Sequence, residues 1–249
     1  MYRRIMPRVY ELVDLSFRNA HPNPYFSDWD EKLATPESQG RKKTWLARER
    51  SFQRLDRDAW QVIKDEASPY LTKPDANGRG YQQLISILNQ TWAYEYLVDL
   101  GCSQVTFIRT EKDQKTPDLS GDLNGLRVLC EVKTLGISDD ETNRRSNKSG
   151  GRTSNTLPNG YFKKLDSAIE QAKTQLESYD GTTNSRRIVF IVPDFDDFLG
   201  EYKVDYFKEI DQHLTSHPIG GIELAFYNHK TAFHHPISMS SATAINEPD

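Results

Sequence analysis

The chain has 249 residues, 36% of them hydrophobic and 27% charged, so it can bury a sizeable core without disulfide or metal staples. No apolar run approaches the roughly 18 residues that a membrane-spanning helix needs, and no hydrophobic segment follows the basic start as in a secretory signal. We therefore expect no membrane association and a cytoplasmic location. The two cysteines exclude a disulfide framework and a zinc site of four cysteines.

The charge is unevenly distributed along the chain. Its formal net value of −4 argues weakly against a protein coated with positive charge, but local charge matters more for phosphate binding. Residues 142–164 include six basic side chains and no acidic one, whereas an acidic cluster follows at 194–201. The six are Arg144, Arg145, Lys148, Arg152, Lys163 and Lys164. A solvated loop is the ordinary explanation of such a run, so alone it predicts no function.

The N-terminal part contains one clear helical pattern. Residues 1–50 mix Pro, Asn, Ser and charge without periodicity, which predicts an irregular or partner-dependent arm. After Asp56 the pattern RDAWQVIKDEASPYL indicates a helix, and turn residues follow it at 73–78. We expect an N-terminal arm and accessory helix over 1–79, a main domain over 80–230 and a loose polar tail over 231–249.

The main domain is predicted to begin with a helix and three strands. Residues 81–100 have apolar side chains at helical spacing, including Leu84, Leu88 and Trp92, and Gly101 follows where helices commonly end. A short strand is expected over 104–109. Asn124-Gly125 then separates two extended segments, 118–123 and 126–135, and both residues tolerate the positive φ of a type I′ turn. These segments should pair as an antiparallel hairpin.

The remaining elements alternate between helix and strand. After a loop rich in Gly, Ser, Asn and Arg, we expect a helix over 162–179 and a buried strand over 187–192. A helix over 205–214 and a strand over 222–227 follow. The order α-β-β-β-α-β-α-β predicts an α/β domain with a mixed central β-sheet flanked by α-helices.

The predicted hairpin brings together residues suited to a metal site. Side chains alternate along a strand, so Glu131 and Lys133 share one face, with the Val132 carbonyl between them. Asp118 opens the neighbouring strand. Two carboxylates and one carbonyl are the oxygen ligands that Mg²⁺ prefers, and a lysine beside them can orient an attacking water. The sequence therefore predicts a metal site with Lys133 next to it.

The triplet of an acid, any residue and a lysine carries little information by itself, because it occurs four times in this sequence. The four copies begin at Asp30, Asp113, Glu131 and Glu201. Only the triplet at Glu131 lies within a strand-like apolar run. Burying an acid and a lysine there is costly unless a metal or a partner compensates. A structural salt bridge, in a hairpin of an unrelated α/β fold, is the alternative explanation.

Pro117-Asp118, a spacer and then Glu131-Val132-Lys133 resemble the PD-(D/E)XK motif of the restriction-endonuclease-like nuclease superfamily. That family has an α-β-β-β-α-β core, and the predicted elements over 81–193 follow the same order. The resemblance implies that Asp118 and Glu131 bind Mg²⁺, for which Mn²⁺ can substitute. It implies that Lys133 positions or deprotonates the attacking water.

Two further positions resemble features of this superfamily. Members often place an extra acid on the first core helix, and Glu95 lies on the apolar stripe of the predicted helix, either as a metal-site acid or as a partner of a basic group. Gln175 and Tyr179 are similar to the QxxxY element of RecB-like members. Arg144, Arg145, Lys148 and Arg152 directly follow the motif strand and are expected to contact nucleic-acid phosphates.

The resemblance implies a metal-dependent nuclease, an endonuclease that cuts DNA in preference to RNA by attack of water on phosphorus. Nucleic acid is the expected partner, and a homodimer or larger assembly is compatible with it. The alternative is a non-catalytic nucleic-acid-binding or scaffold protein that keeps the nuclease fold. Retention of all three charged residues argues against that alternative.

Overall fold

A computed structural model describes residues 2–17, 26–35, 38–71, 81–109, 115–147, 154–180, 184–196, 201–227 and 232–235. The chain divides into two compact units, Met1–Glu95 and Tyr96–Asp249. The predicted domain limits at 79/80 and 230/231 lie outside the described residues. Within those residues, none of the helices has both the length and the apolar character needed to cross a membrane.

The first unit is helical. It contains α1 (Tyr2–Ile5), α2 (Pro7–Phe17), α3 (Trp29–Ala34), α4 (Gln39–Arg54) and α5 (Arg57–Leu71), and α6 (Gln82–Asp99) begins in it. The helix expected after Asp56 is confirmed as α5. The expectation of an irregular arm over residues 1–50 is wrong, because the described part of this segment forms α1, α2, α3 and most of α4.

An aromatic cluster explains why this polar segment folds. The rings of Phe26, Trp29 and Trp45 meet edge to face, with centroids 5.1 to 5.5 Å apart. The buried Glu49 carboxylate of α4 accepts the Val9 backbone N–H at 2.8 Å, near the start of α2, where helices have unpaired N–H groups. The core thus joins large side chains on separate elements to buried residues of α2 that lie at helical spacing.

The second unit is built on a six-stranded sheet in the order β1-β2-β3-β4-β5-β6. The strands are β1 (Ser103–Phe107), β2 (Leu119–Leu123), β3 (Leu126–Leu135), β4 (Ser185–Pro193), β5 (Glu223–Tyr227) and β6 (Ala232–His235). The β3-β4 and β4-β5 pairs are parallel and the other three pairs are antiparallel. With α7 (Asp139–Ser146), α8 (Asn159–Tyr179) and α9 (Lys203–Ser216), the domain is an α/β fold with a mixed sheet and flanking helices, as expected.

Two sequence expectations for this unit need correction. The segment after β3 was expected to be loop, but α7 occupies part of it. The tail was expected to be loose from Ala232, but Ala232–His235 pair with β5 as an edge strand. Both elements are short and polar, so their own sequences do not distinguish them from loops. Residues 236–249 lie outside the described residues.

The hairpin between β2 and β3 forms as predicted. Asn124 has a φ of 55° and Gly125 a φ of 82°, and the flanking residues Leu123 and Leu126 pair directly. The Gly125 N–H also donates to the Asp122 carboxylate at 2.9 Å. The turn sets the register, which pairs Leu119 with Cys130 at the other end of β2.

The principal apolar core of this unit lies between one face of the sheet and helices α8 and α9. Leu129 and Leu135 of β3 pack there with Leu165, Ile169, Ala172 and Leu176 of α8 and with Tyr206, Phe207 and Ile210 of α9. Because side chains alternate along β3, Glu131 and Lys133 belong to this same face. The candidate site is therefore covered by α8.

Candidate active site

Glu131 is the central residue of the candidate site. It is only 4% exposed, although it carries a carboxyl group. The ammonium of Lys133, two residues along the same strand face, lies 2.8 Å from Glu131 Oε1. The Gln175 side chain of α8 donates to Glu131 Oε2 at 2.8 Å. Both carboxylate oxygens thus accept hydrogen bonds from nitrogen donors.

Asp118 lies directly before β2, beside Glu131. The β2-β3 register, extended by one residue beyond the Leu119–Cys130 pair, places Asp118 opposite Glu131. The Val132 N–H, next to Glu131 in the strand, donates to Asp118 Oδ2 at 2.7 Å, and Asp118 is close enough to Glu131 to influence its pKa. The two carboxyls therefore lie close together. The alternative of a structural Glu131–Lys133 salt bridge in an unrelated fold would instead allow Asp118 to lie far from Glu131.

Gln175 ties α8 to this pair of strands. Its Nε2 donates to the Thr116 carbonyl at 2.6 Å as well as to Glu131. The same amide group therefore orients the Glu131 carboxyl and holds the backbone two residues before Asp118. Tyr179, one helical turn further, instead has its ring 5.5 Å from the Arg127 guanidinium. Of the two residues of the QxxxY element, the structure brings Gln175 to the carboxyls.

Burial raises the pKa of Glu131 above its ordinary value, because the charged form loses solvation. The nearby Lys133 charge, the hydrogen bond from Lys133 and the adjacent Asp118 act in the opposite direction without cancelling the effect of burial. A carboxyl held in this way costs free energy when it ionises. A cation beside it would favour the ionised form.

The donor set fits a hard divalent cation. Two carboxyls and one ammonium have a combined formal charge of −1, and oxygen ligands suit Mg²⁺. The N–H and C=O of a strand residue point to the same side, so the Val132 carbonyl is directed toward the Asp118 side, as its N–H is. Each carboxylate oxygen can accept more than one bond, so the existing hydrogen bonds leave acceptor capacity.

Within the described ranges, no group of three or more His, Cys, Asp and Glu side chains is arranged to hold a metal ion. The candidate site does not need such a group, because its third ligand would be a backbone carbonyl. The predicted fourth member, Glu95, lies in the first unit. Its carboxylate pairs with Arg54 at 3.1 Å, which is the alternative to the favoured metal-site role, so that a contribution of Glu95 to a metal site stays a prediction.

The residues of the predicted phosphate-binding run are only partly described. The Arg144 guanidinium of α7 donates through Nε and Nη2 to the buried Glu141 carboxylate at 3.0 and 2.7 Å. This bond gives Arg144 a structural partner that the sequence did not predict. The Arg145 side chain, Lys148 and Arg152 lie outside what the structure describes.

Sequence reasoning missed one contributor to the site, the Thr116 carbonyl. It accepts the Gln175 bond through its backbone, so its side chain gives no signal. Its position directly before the Pro117-Asp118 pair is the single hint in the sequence.

Comparison with protein-family models, with curated proteins and with solved structures found no match for this chain.

Proposed function

We propose that this protein is a metal-dependent nuclease that hydrolyses phosphodiester bonds of nucleic acid, DNA in preference to RNA. The observation that carries the proposal is the buried Glu131 carboxyl, held between Lys133 and Gln175 beside Asp118. A carboxyl pair next to an ammonium is suited to a reaction in which water attacks a phosphate. The resemblance to the PD-(D/E)XK motif supports the same assignment.

Each residue of the site has a distinct task in the proposed reaction. Asp118, Glu131 and the Val132 carbonyl would hold Mg²⁺, which when bound lowers the pKa of water and offsets phosphate charge. Lys133 orients the attacking water and stabilises the negative charge that develops on the phosphate. The Val132 N–H and the Gln175 amide fix the orientations of Asp118 and Glu131, so the acids need not reorganise during the reaction.

The test is cleavage of plasmid and single-stranded DNA by the full chain with Mg²⁺, Mn²⁺ or EDTA. We expect cleavage with either metal and none in EDTA. Lys133→Ala and Asp118→Ala should each lower the rate by at least about 100-fold, since they remove charge from the reacting centre. Lys173→Ala is the control and should keep the wild-type rate, because Lys173 is half-buried and lies two residues before Gln175, on nearly the opposite side of α8.

Circular dichroism of each variant separates loss of activity from loss of folding. Folded wild type that cuts no DNA with either metal would refute the nuclease. If that protein still bound DNA in a salt-sensitive manner, the alternative of a non-catalytic nucleic-acid-binding or scaffold protein would replace it.

A further inference from the structure

The two units differ in the sign of their charge. Met1–Glu95 contains 15 basic and 13 acidic residues, a net charge of +2, whereas Tyr96–Asp249 contains 17 and 23, a net charge of −6. The unit that holds the candidate active site is therefore acidic overall. An acidic unit repels a polyanion at long range, so cations concentrated in the other unit would add to the affinity for nucleic acid.

Helix α4 is where positive charge is concentrated in the first unit. Its sequence QGRKKTWLARERSFQR has six basic residues and a single acid, Glu49. That acid is 3% exposed and accepts the backbone N–H of Val9, so it does not offset the charge on the helix surface. Arg48 is buried as well, so the other five basic residues make the solvent-facing side of α4 cationic.

Three of these cations form a stripe, which we call the α4 stripe: Lys43, Arg50 and Arg54. Positions seven and four residues apart lie on one face of a helix, and the three side chains span roughly 16 Å along it. All three are exposed, whereas Trp45 and Phe52 on the opposite face are buried. Burial of that face fixes the rotation of the helix and holds the stripe toward solvent.

The ends of the stripe differ. Arg54 pairs with Glu95 at 3.1 Å, which partly neutralises it. At the other end Lys42, which adjoins Lys43 in the sequence, lies over the Tyr2 ring at 5.8 Å, so α1 packs near the start of α4. Exposed Arg4 of α1 adds a further charge to this unit. Lys43 and Arg50 are therefore the two stripe residues best placed to meet a polyanion.

We propose that the α4 stripe binds the phosphate backbone of nucleic acid, without reading its sequence. Cations aligned along one face of a helix suit a polymer that carries one charge per roughly 1.7 Å of duplex axis. The inference rests on the proposed function, because a nuclease whose catalytic unit is acidic overall gains substrate affinity from cations on its other unit. It assigns that affinity to a surface other than the basic run at 144–152.

The test measures binding of a fluorescent DNA duplex to the full chain by anisotropy in EDTA, where no cleavage occurs. Lys43→Gln/Arg50→Gln should weaken binding by roughly five- to tenfold per lost contact near 0.1 M salt. Loss of two phosphate contacts should also make the plot of log K against log salt concentration less steep, by about 1.8 in slope. The control Arg127→Gln/Lys208→Gln removes two exposed charges of the other unit and should bind within about twofold of wild type. Lys43→Arg/Arg50→Lys keeps both charges and should retain binding.

Several outcomes would overturn the inference. They are equal loss of affinity in the test and control variants, no duplex binding by wild type at low salt, or binding to phosphatidylserine vesicles in place of DNA. The result is independent of catalysis. Suppose that wild type fails to cut DNA but Lys43→Gln/Arg50→Gln still weakens DNA binding. The proposed nuclease activity is then refuted, and the proposed binding surface stands. If wild type cuts DNA but Lys43→Gln/Arg50→Gln binds DNA as tightly as the control variant, only the role of the α4 stripe is refuted.

Discussion

Glu131 is the most deeply buried charged residue of the candidate site. It is buried in a sheet face that otherwise packs Leu129 and Leu135 against α8. Burying a charge there is unfavourable unless hydrogen bonds and opposite charge compensate. Lys133 and Gln175 supply that compensation in part, and burial still leaves the pKa of Glu131 raised.

This raised pKa predicts a specific pH dependence of stability. The folded state holds the Glu131 proton more tightly than the unfolded chain, so the free energy of unfolding falls as pH rises from about 4.5 through the raised value. Glu131→Gln cannot ionise and lacks this fall. Its stability relative to wild type should therefore increase with pH across that window, in urea unfolding measured with EDTA present.

The exposed acid Glu170 of α8 provides the control for this measurement. Glu170→Gln should follow the wild-type pH profile. A constant difference between Glu131→Gln and wild type at every pH would contradict the assignment.

Gln175 is predicted to act by positioning Glu131. Gln175→Ala removes the donor to Glu131 and Thr116, and we expect cleavage to fall about 10- to 100-fold, with more Mg²⁺ needed for half-maximal rate. The matched control is Gln171→Ala, one turn earlier on α8, whose exposed amide donates to the Ser167 hydroxyl at 3.1 Å. A Gln175→Ala variant with wild-type metal dependence would contradict the positioning role.

At the scale of elements, the β2-β3 hairpin and helix α8 together assemble the site. The Asn124-Gly125 turn sets the register that places Asp118 beside Glu131. Helix α8 then covers the sheet face and contributes Gln175. A shift in the hairpin register or in the position of α8 would separate Asp118, Glu131 and Gln175. The conformation of the turn is therefore needed to assemble the candidate site.

The turn can be tested with a matched pair of glycine substitutions. A Cβ at Gly125 or at Gly160 would meet open space, but Gly125 has a φ of 82° and Gly160 lies in the first turn of α8. We expect Gly125→Ala to destabilise by about 1 to 2 kcal/mol, because L-residues disfavour positive φ. Gly160→Ala should stabilise by up to about 1 kcal/mol. Urea unfolding measures both, and effects of equal sign would contradict the turn assignment.

At the scale of the molecule, the helical unit has its own core, centred on aromatic residues. Trp45 is 1% exposed and contacts the rings of Phe26 and Trp29. Trp45→Ala should lower the free energy of unfolding by about 3 to 5 kcal/mol, with a smaller loss for Trp45→Phe. Val204→Ala, at a side chain that is 65% exposed, should change it by less than about 0.5 kcal/mol. Urea unfolding followed by circular dichroism tests this, and a small loss at Trp45 would contradict a folded N-terminal core.

The sequence by itself determined the elements whose signals are local. Residue alternation placed Glu131 and Lys133 on one face, Asn124-Gly125 predicted the hairpin, and β3 has the predicted bounds. Helices α6 and α8 and strand β4 also lie where their apolar patterns indicated, within a few residues. The predictions of these elements are correct because turn geometry and side-chain periodicity are properties of neighbouring residues.

Only the tertiary structure decided the features that depend on distant partners. The N-terminal helices form around aromatic side chains that are far apart in sequence, and β6 exists because β5 offers an edge to pair with. The bond from Gln175 to Glu131 depends on how α8 is rotated over the sheet, and the pairing of Glu95 with Arg54 depends on how α4 packs near α6. Such contacts join residues about 40 positions apart, and no local pattern in the sequence encodes the geometry that brings them together.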